Sequence, residues 1–368
     1  MKHLICQMLE QNGIGFDWER YQSGVLKTKA EQEEQVVTSL CSLLHCSKRV
    51  LLDPNRQAWC LYHNQIYPKS LAIDYLKEHR QEHEAYELLY RYKRLRQFQN
   101  QYGSKLFEQI GPNGRIHAEW FLDGSVTGRM SCCKPNLQAF PSEVKPYFKP
   151  RDGYCFVSGD YSQIELRVLA ELSADRSLIQ SFRDKVDIHT GTASKVFGKP
   201  LWEITEEERT VGKRVNFGIC YGISSHGLCK VLQKATGGTV DIRDADAMRQ
   251  NFYDSHPEIL AYHDALLKAE TITSLGGQIW KNYPPGIARI NLPVRASAAE
   301  GLKLALFDLI IHLPEDCLLV NVIHDEIILE VPVEKSEHMQ TVLQKSMVDG
   351  MQQIIKSVPI EVDINIKL

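Results

Sequence analysis

Residues 154–170 read YCFVSGDYSQIELRVLA. The apolar run Tyr154-Cys155-Phe156-Val157 predicts a buried strand, and Ile164, Leu166, Val168 and Leu169 give the next segment a partly apolar helical face. Asp160 therefore falls at the carboxyl end of a strand. Glu165 follows about one helical turn later, and Arg167 closes the stretch. A carboxylate on a rigid strand end suits a hard divalent cation such as Mg²⁺, which one or two carboxylates plus phosphate oxygens hold. A helix N-cap would account for Asp160 equally well, so the rest of the chain has to decide.

A second carboxylate breaks the tie. Residues 317–331 read CLLVNVIHDEIILEV, two apolar runs around His324-Asp325-Glu326. That is the pattern of a β-hairpin with charge at its tip. Neither arm alternates with polar residues, so both arms are expected to be buried on two faces. Two carboxylates from two strand ends could hold two metal ions about 3.5–4 Å apart, the spacing used for in-line displacement at phosphorus.

Between them lies RTVGKRVNFGICYG, residues 209–222. Arg209, Lys213, Phe217 and Tyr221 recur every four residues. On a helix such residues form one slowly winding stripe, cationic at one end and aromatic at the other. Arg and Lys suit a triphosphate, and flat rings suit a base. Glu206, Glu207 and Glu208 upstream make an acidic first turn that favours the helix dipole.

With these three segments in view, the sequence resembles DNA polymerase family A, the DNA polymerase I type. DYSQIELR is similar to its first palm motif, the stripe from Arg209 to Gly222 to its fingers helix, and His324-Asp325-Glu326 to its second palm motif. LEQNGIGFD near the start, TGRMSCCKPNLQAFP (127–141), DIHTGTAS (187–194) and INLPVRASAAEGLKLAL (290–306) resemble further family segments, in the family's order.

The resemblance implies a right-hand polymerase fold of the α/β (α+β) class, with an antiparallel-sheet palm and helical thumb and fingers. The palm would begin at 1–20, the thumb would span 21–110, the palm would resume at 111–175, the fingers would span 176–275, and the palm would close at 276–368. It implies template-directed addition of dNTPs to a primer 3′ end, with Asp160 and Asp325 binding two Mg²⁺ ions (Mn²⁺ as a substitute) and the Tyr161 carbonyl completing a site. Arg209, Lys213 and His189 would meet the triphosphate, with Lys213 as proton donor to pyrophosphate. Phe217 would lie against the sugar and base, and Tyr221 would occupy the template-base position. Glu165 would exclude a ribose 2′-hydroxyl. Arg129, Asn136, Gln138, Asn291 and Arg295 would touch DNA, and His324 would steady the primer end.

Some positions depart from the family. Arg295 stands where a Gln is usual, Cys132-Cys133 where a small hydroxyl pair is usual, and Ala139 where an Asn is usual. Asp17-x-Glu19 mimics an exonuclease pair, but it reads as loop chemistry. No stretch of nuclease size precedes the palm, so neither exonuclease domain is expected.

Composition narrows the setting. A chain of 368 residues with 43% hydrophobic content supports a large core in a multi-lobed unit. No apolar run reaches 18–20 residues and no signal peptide opens the chain. The ten cysteines form no CxxC pair, so reduced thiols in an intracellular, cytoplasmic protein are expected. A monomer on primer–template DNA, away from membranes, fits this reading. The net charge of −3 requires that any DNA contact be local. LYRYKRLRQFQNQYGSKL (89–106) interleaves Arg91, Lys93, Arg94, Arg96 and Lys105 with four aromatic rings and is the candidate backbone groove.

Overall fold

Four strands form the sheet that carries the carboxylates: β1 (Tyr154–Tyr161), β2 (Leu318–Ile323), β3 (Glu326–Pro332) and β4 (Val362–Lys367). Their order is β4-β1-β3-β2, antiparallel throughout. The computed structural model describes residues 2–238 and 240–367. The apolar runs seen in the sequence become the sheet's core: Cys155, Val157, Leu319, Val320, Val322, Ile327, Leu329 and Val331 are all fully buried. Burial on both faces explains why neither hairpin arm alternates.

The β2–β3 hairpin turns at His324-Asp325, with His324 in the left-handed region at φ 54°. Register then places the charges. Asp160 lies opposite Glu326 on β3 and opposite Asp363 on β4.

Five helices build the rest of the site's surroundings: α1 (Ile164–Ser173), α2 (Ile188–Phe197), α3 (Glu206–Cys220), α4 (Ala288–His312) and α5 (Ser336–Gln352). Helix α5 lies close against β1, where a Cβ added at Gly159 would sit 2.6 Å from Met347 Sδ. The Tyr161 hydroxyl donates to the Met347 carbonyl at 2.6 Å. The strand end that carries Asp160 is thus fixed on both sides of the residue.

Arg167 braces the start of α1. It is 2% exposed, donates to the Ser162 carbonyl at 2.8 Å and to Glu361 at 2.6 Å, and stacks 4.5 Å from the Phe182 ring centroid. A buried guanidinium with all these partners is a structural brace.

One expectation fails. The breaks SLGG, PPG and NLP make residues 276–294 loop-rich by sequence and start a helix at 295, yet α4 begins at Ala288 and runs through Pro293. Ile290, Leu292, Pro293 and Val294 are all buried. Burial of that face overrides the local penalty of a proline, which removes one backbone donor. The Ser297 hydroxyl donates to the Pro293 carbonyl at 2.7 Å within the same stretch.

The chain divides into two compact units. One comprises the residues up to Asn12, Glu119–Cys132 and everything from Asp152 onward; the other comprises Gly13–Ala118 and Cys133–Arg151. In the second unit the helices Lys27–Leu43 and Glu84–Gln99 pack together over Val36, Leu40, Leu61, Leu76 and Leu89. Helix Glu84–Gln99 buries Tyr92 and leaves Arg91, Arg94 and Arg96 exposed. Burial lowers the Lys93 pKa. Tyr92, Lys93, Arg96, Gln97, Asn100 and Lys105 line a recess of about 690 Å³. Asp17 caps the short helix Trp18–Tyr21 and Glu19 lies in its first turn, so the Asp-x-Glu pair marks a helix start where a loop was expected. All ten cysteines are free thiols.

Candidate active site

A cleft of about 440 Å³ opens at the end of β1. Its walls include Asp160, Asp325, Glu165, Arg129, Arg209, Lys213, Phe217, His189 and His324. Residues as far apart in sequence as 129 and 363 therefore face one space. The carboxylates arrive on neighbouring strand ends, and the Tyr161 N–H reaches the Asp325 carbonyl at 3.4 Å.

The charge balance on that floor is poor. The Asp160 pKa is pushed up to about 6, first by removal of water and then by Asp325, Glu326 and Asp363. Asp325 is also raised, chiefly by burial. Negative charges crowded this way favour either a proton or a cation. Among the described residues no three His, Cys, Asp or Glu side chains are arranged to hold a metal by themselves. Two carboxylates supplemented by a carbonyl and phosphate oxygens are the donor set that Mg²⁺ takes, so the residues present fit that ion.

Helix α3 forms the opposite wall. Thr205 and Glu208 make a capping box at its start. Gly212 sets its seat, since a Cβ there would lie 2.2 Å from the His189 carbonyl. The stripe is as spaced: Lys213 Nζ lies 5.8 Å from the Phe217 ring centroid, and the Phe217 and Tyr221 rings are 5.8 Å apart. Arg209 does not hang free. Its Nε donates to Asp187 at 2.7 Å. Burial opposes ionisation of Asp187, but hydrogen bonds from Arg209 and Thr190 hold its carboxyl far below the usual range.

His189 is 1% exposed, and its ring lies 5.9 Å from that of Phe217. Burial lowers its pKa to about 4, helped by Arg209 and Lys213. Its Nδ1 lies 3.1 Å from the Asn216 amide, while Nε2 is buried without a partner among the described residues. It is a neutral imidazole with one free nitrogen.

Glu165 sits on the first turn of α1 and accepts a short hydrogen bond from Arg129. Arg295 and Asn291 project from α4, one turn apart. Asn136 and Gln138 belong to the other unit and are not among the residues lining this cleft. There the Asn136 side chain accepts from the Gln138 N–H at 3.1 Å, after a cis Lys134–Pro135 bond.

Two participants were not picked out from the sequence. Asp187 has a local signal, an Asp two and three residues before the N–H groups that it caps. Asp363 has none, because only strand register brings it to Asp160. The hold of Arg129 on Glu165 likewise depends on folding.

The family model for DNA polymerase family A matches residues 59–276 and 286–367. The chain belongs to DNA polymerase family A. DNA polymerase I of Aquifex aeolicus is 37% identical over 261 residues, covering 68% of this chain and 45% of that protein. The thermostable DNA polymerase I of Thermus aquaticus is 32% identical over 323 residues, covering 81% of this chain and 38% of that protein. The chain thus spans less than half the length of these relatives. In fold it is similar to the POL domain of Pol1 from M. smegmatis in complex with DNA primer-template and dNTP. The TM-score is 0.82 at 22% identity, covering 100% of this chain and 69% of that one. The right-hand polymerase architecture, a mixed helix-and-sheet fold, follows. No helix among the described residues is long and apolar enough to cross a membrane.

Proposed function

We propose that this chain is a template-directed DNA polymerase that adds dNTPs to a primer 3′ end by two-metal-ion nucleotidyl transfer. The observation that carries the reading is the meeting of Asp160 and Asp325 in one cleft, across from Arg209, Lys213 and Phe217. In this reading the sheet is the palm, residues 176–275 are the fingers and 21–110 are the thumb.

Each residue has a task. Asp160, Asp325 and the Tyr161 carbonyl hold the divalent cations, Mg²⁺ or Mn²⁺. Bound there, such ions lower the pKa of the primer hydroxyl and neutralise the triphosphate. Arg209 and Lys213 grip phosphate oxygens. Lys213 gives the proton to pyrophosphate, since an ammonium can lose one and a guanidinium cannot. His189, neutral and with an unpartnered Nε2, offers a hydrogen bond to the triphosphate. Phe217 packs on the sugar and base, and Tyr221 fills the template-base position until it is displaced.

Glu165 excludes a ribose 2′-hydroxyl, because its carboxylate and the Tyr221 ring together leave no room for it. A buried polar mismatch discriminates more strongly than shape alone. Arg129, Asn136, Gln138, Asn291 and His324 contact primer–template, and the basic face of helix Glu84–Gln99 follows the phosphate backbone.

Primer extension with Mg²⁺ at stated salt tests this reading. Wild-type protein is expected to lengthen the primer, and Asp160→Ala or Asp325→Ala to abolish lengthening while still shifting the duplex in a gel. A protein that shifts the duplex but never lengthens it is a clamp, and the reading fails.

A further inference from the structure

Glu165 is served by two guanidinium groups, and they differ in what they do. Arg129 donates directly to Glu165 Oε1. Arg295 Nε stops 3.9 Å from the same oxygen, beyond hydrogen-bond reach. That Nε is buried and has no hydrogen-bond partner among the described residues. The Arg295 guanidinium instead lies 5.6 Å from the centroid of the Tyr221 ring. The Tyr221 hydroxyl and Asn291 Oδ1, one turn back on α4, are also buried without partners among the described residues. A planar, weakly hydrated guanidinium can stack on a ring and attract a carboxylate at the same time, which a lysine cannot do equally well. Glu165 belongs to α1, Tyr221 ends α3, and Arg295 comes from α4. One cation therefore ties two helices through their functional side chains.

We propose that Arg295 is a positioning and specificity-determining residue that couples the Tyr221 ring to the Glu165 carboxylate. The two walls of the sugar seat are then held as one body. The inference rests on the polymerase reading above and deepens it. With Arg295 in place, Tyr221 cannot swing away without giving up the guanidinium, and the seat stays too narrow for a 2′-hydroxyl. Without it, Glu165 keeps Arg129, but the ring is released. The competing role for Arg295 is a plain contact to DNA.

The test compares wild type with Arg295→Gln, Arg295→Lys and Tyr221→Leu, and combines the first with the third. Three quantities are measured: kcat/KM for a dNTP, kcat/KM for the matching rNTP, and Kd for primer–template. Arg295→Gln is expected to raise relative rNTP use about tenfold, the size of one ring contact plus one screened ion pair. Arg295→Lys, which keeps charge without the plane, is expected to restore only part of the selectivity. In the Tyr221→Leu background, Arg295→Gln is expected to add less than twofold.

An unchanged sugar ratio, or a fall in primer–template affinity that accounts for the whole effect, would overturn the proposal in favour of a DNA contact. A thermal-stability cycle on the same Arg295 and Tyr221 variants gives a readout free of activity. A coupling of about two- to fivefold in the unfolding constant is expected, and none would also overturn the proposal. If wild type fails to extend at all while the stability coupling is present, the polymerase reading falls and the contact stands.

Discussion

Replacing Asp160 with Asn should make the metal-free protein more stable while destroying the proposed catalysis. The Asp160 carboxyl has its pKa raised from 3.8 to about 6. Two units correspond to a ceiling of about 3 kcal/mol. Asp160 is exposed along the cleft and its carboxyl is only partly stripped of water, so screening reduces this to about 1 kcal/mol. The sign follows from proton counting. Between pH 4 and 6 the folded state holds a proton that the unfolded state has lost, so stability falls as pH rises through that window. Above pH 6 the folded protein carries the whole penalty; below pH 4 it carries none. The isosteric Asp160→Asn removes the charge and hence the penalty. In EDTA at pH 8 the variant should melt about 1–2 °C higher than wild type, and at pH 4 the two should coincide. Millimolar Mg²⁺ should reverse the ranking, because a cation that binds only the folded wild type stabilises it by mass action. Scanning calorimetry across pH 4–8, with and without Mg²⁺, reads all three effects. A variant that melts at or below wild type at pH 8 in EDTA, with the same pH slope, would refute the crowding of charge around Asp160.

Other outcomes follow from the same cleft. Glu165→Ala should raise ribonucleotide incorporation in single-nucleotide extension assays by more than Arg295→Gln does, since the gate itself is removed; unchanged sugar selectivity would take Glu165 out of that role. Asp187→Asn keeps an N-cap acceptor but releases Arg209 from its ion pair, so KM for the incoming dNTP should fall about two- to fivefold, the scale of an exposed pair; a raised KM would mean that Asp187 orients Arg209 productively. His189 should titrate near pH 4 by NMR, and its burial as a neutral ring should make stability fall as pH drops from 6.5 towards 4; a midpoint near 6.5 would contradict its enclosure. Phe217→Tyr should ease dideoxynucleotide incorporation if the sugar packs on that ring, read from termination ladders.

What the sequence revealed was local. Asp160 at a strand end, a hairpin at His324-Asp325 and a four-residue stripe from Arg209 are each encoded by neighbours in the chain, and the structure forms each of them. What it hid was pairing at a distance. Asp363 meets Asp160 because β4 aligns against β1 in one register. Arg129 and Arg295 converge on Glu165 from segments 36 and 130 residues away. Pro293 misled because a local breaker signal was outweighed by burial in α4, which no local rule can weigh. The net charge of −3 says nothing of the cations at Arg209 and helix Glu84–Gln99, which only the local spacing reveals, since a sum over the chain erases their placement.

The neighbour of β1 on one side is β4, and β4 closes at Lys367. During synthesis, the strand that bears Asp160 leaves the ribosome some two hundred residues before that neighbour exists. Until then its amides on that side have only solvent to bond. Until then the reaction chamber stays open-walled. Competence to copy a template is thus delayed until translation reaches the segment around 362–367, and a nascent fragment that stops short of it should bind nucleic acid without being able to extend it.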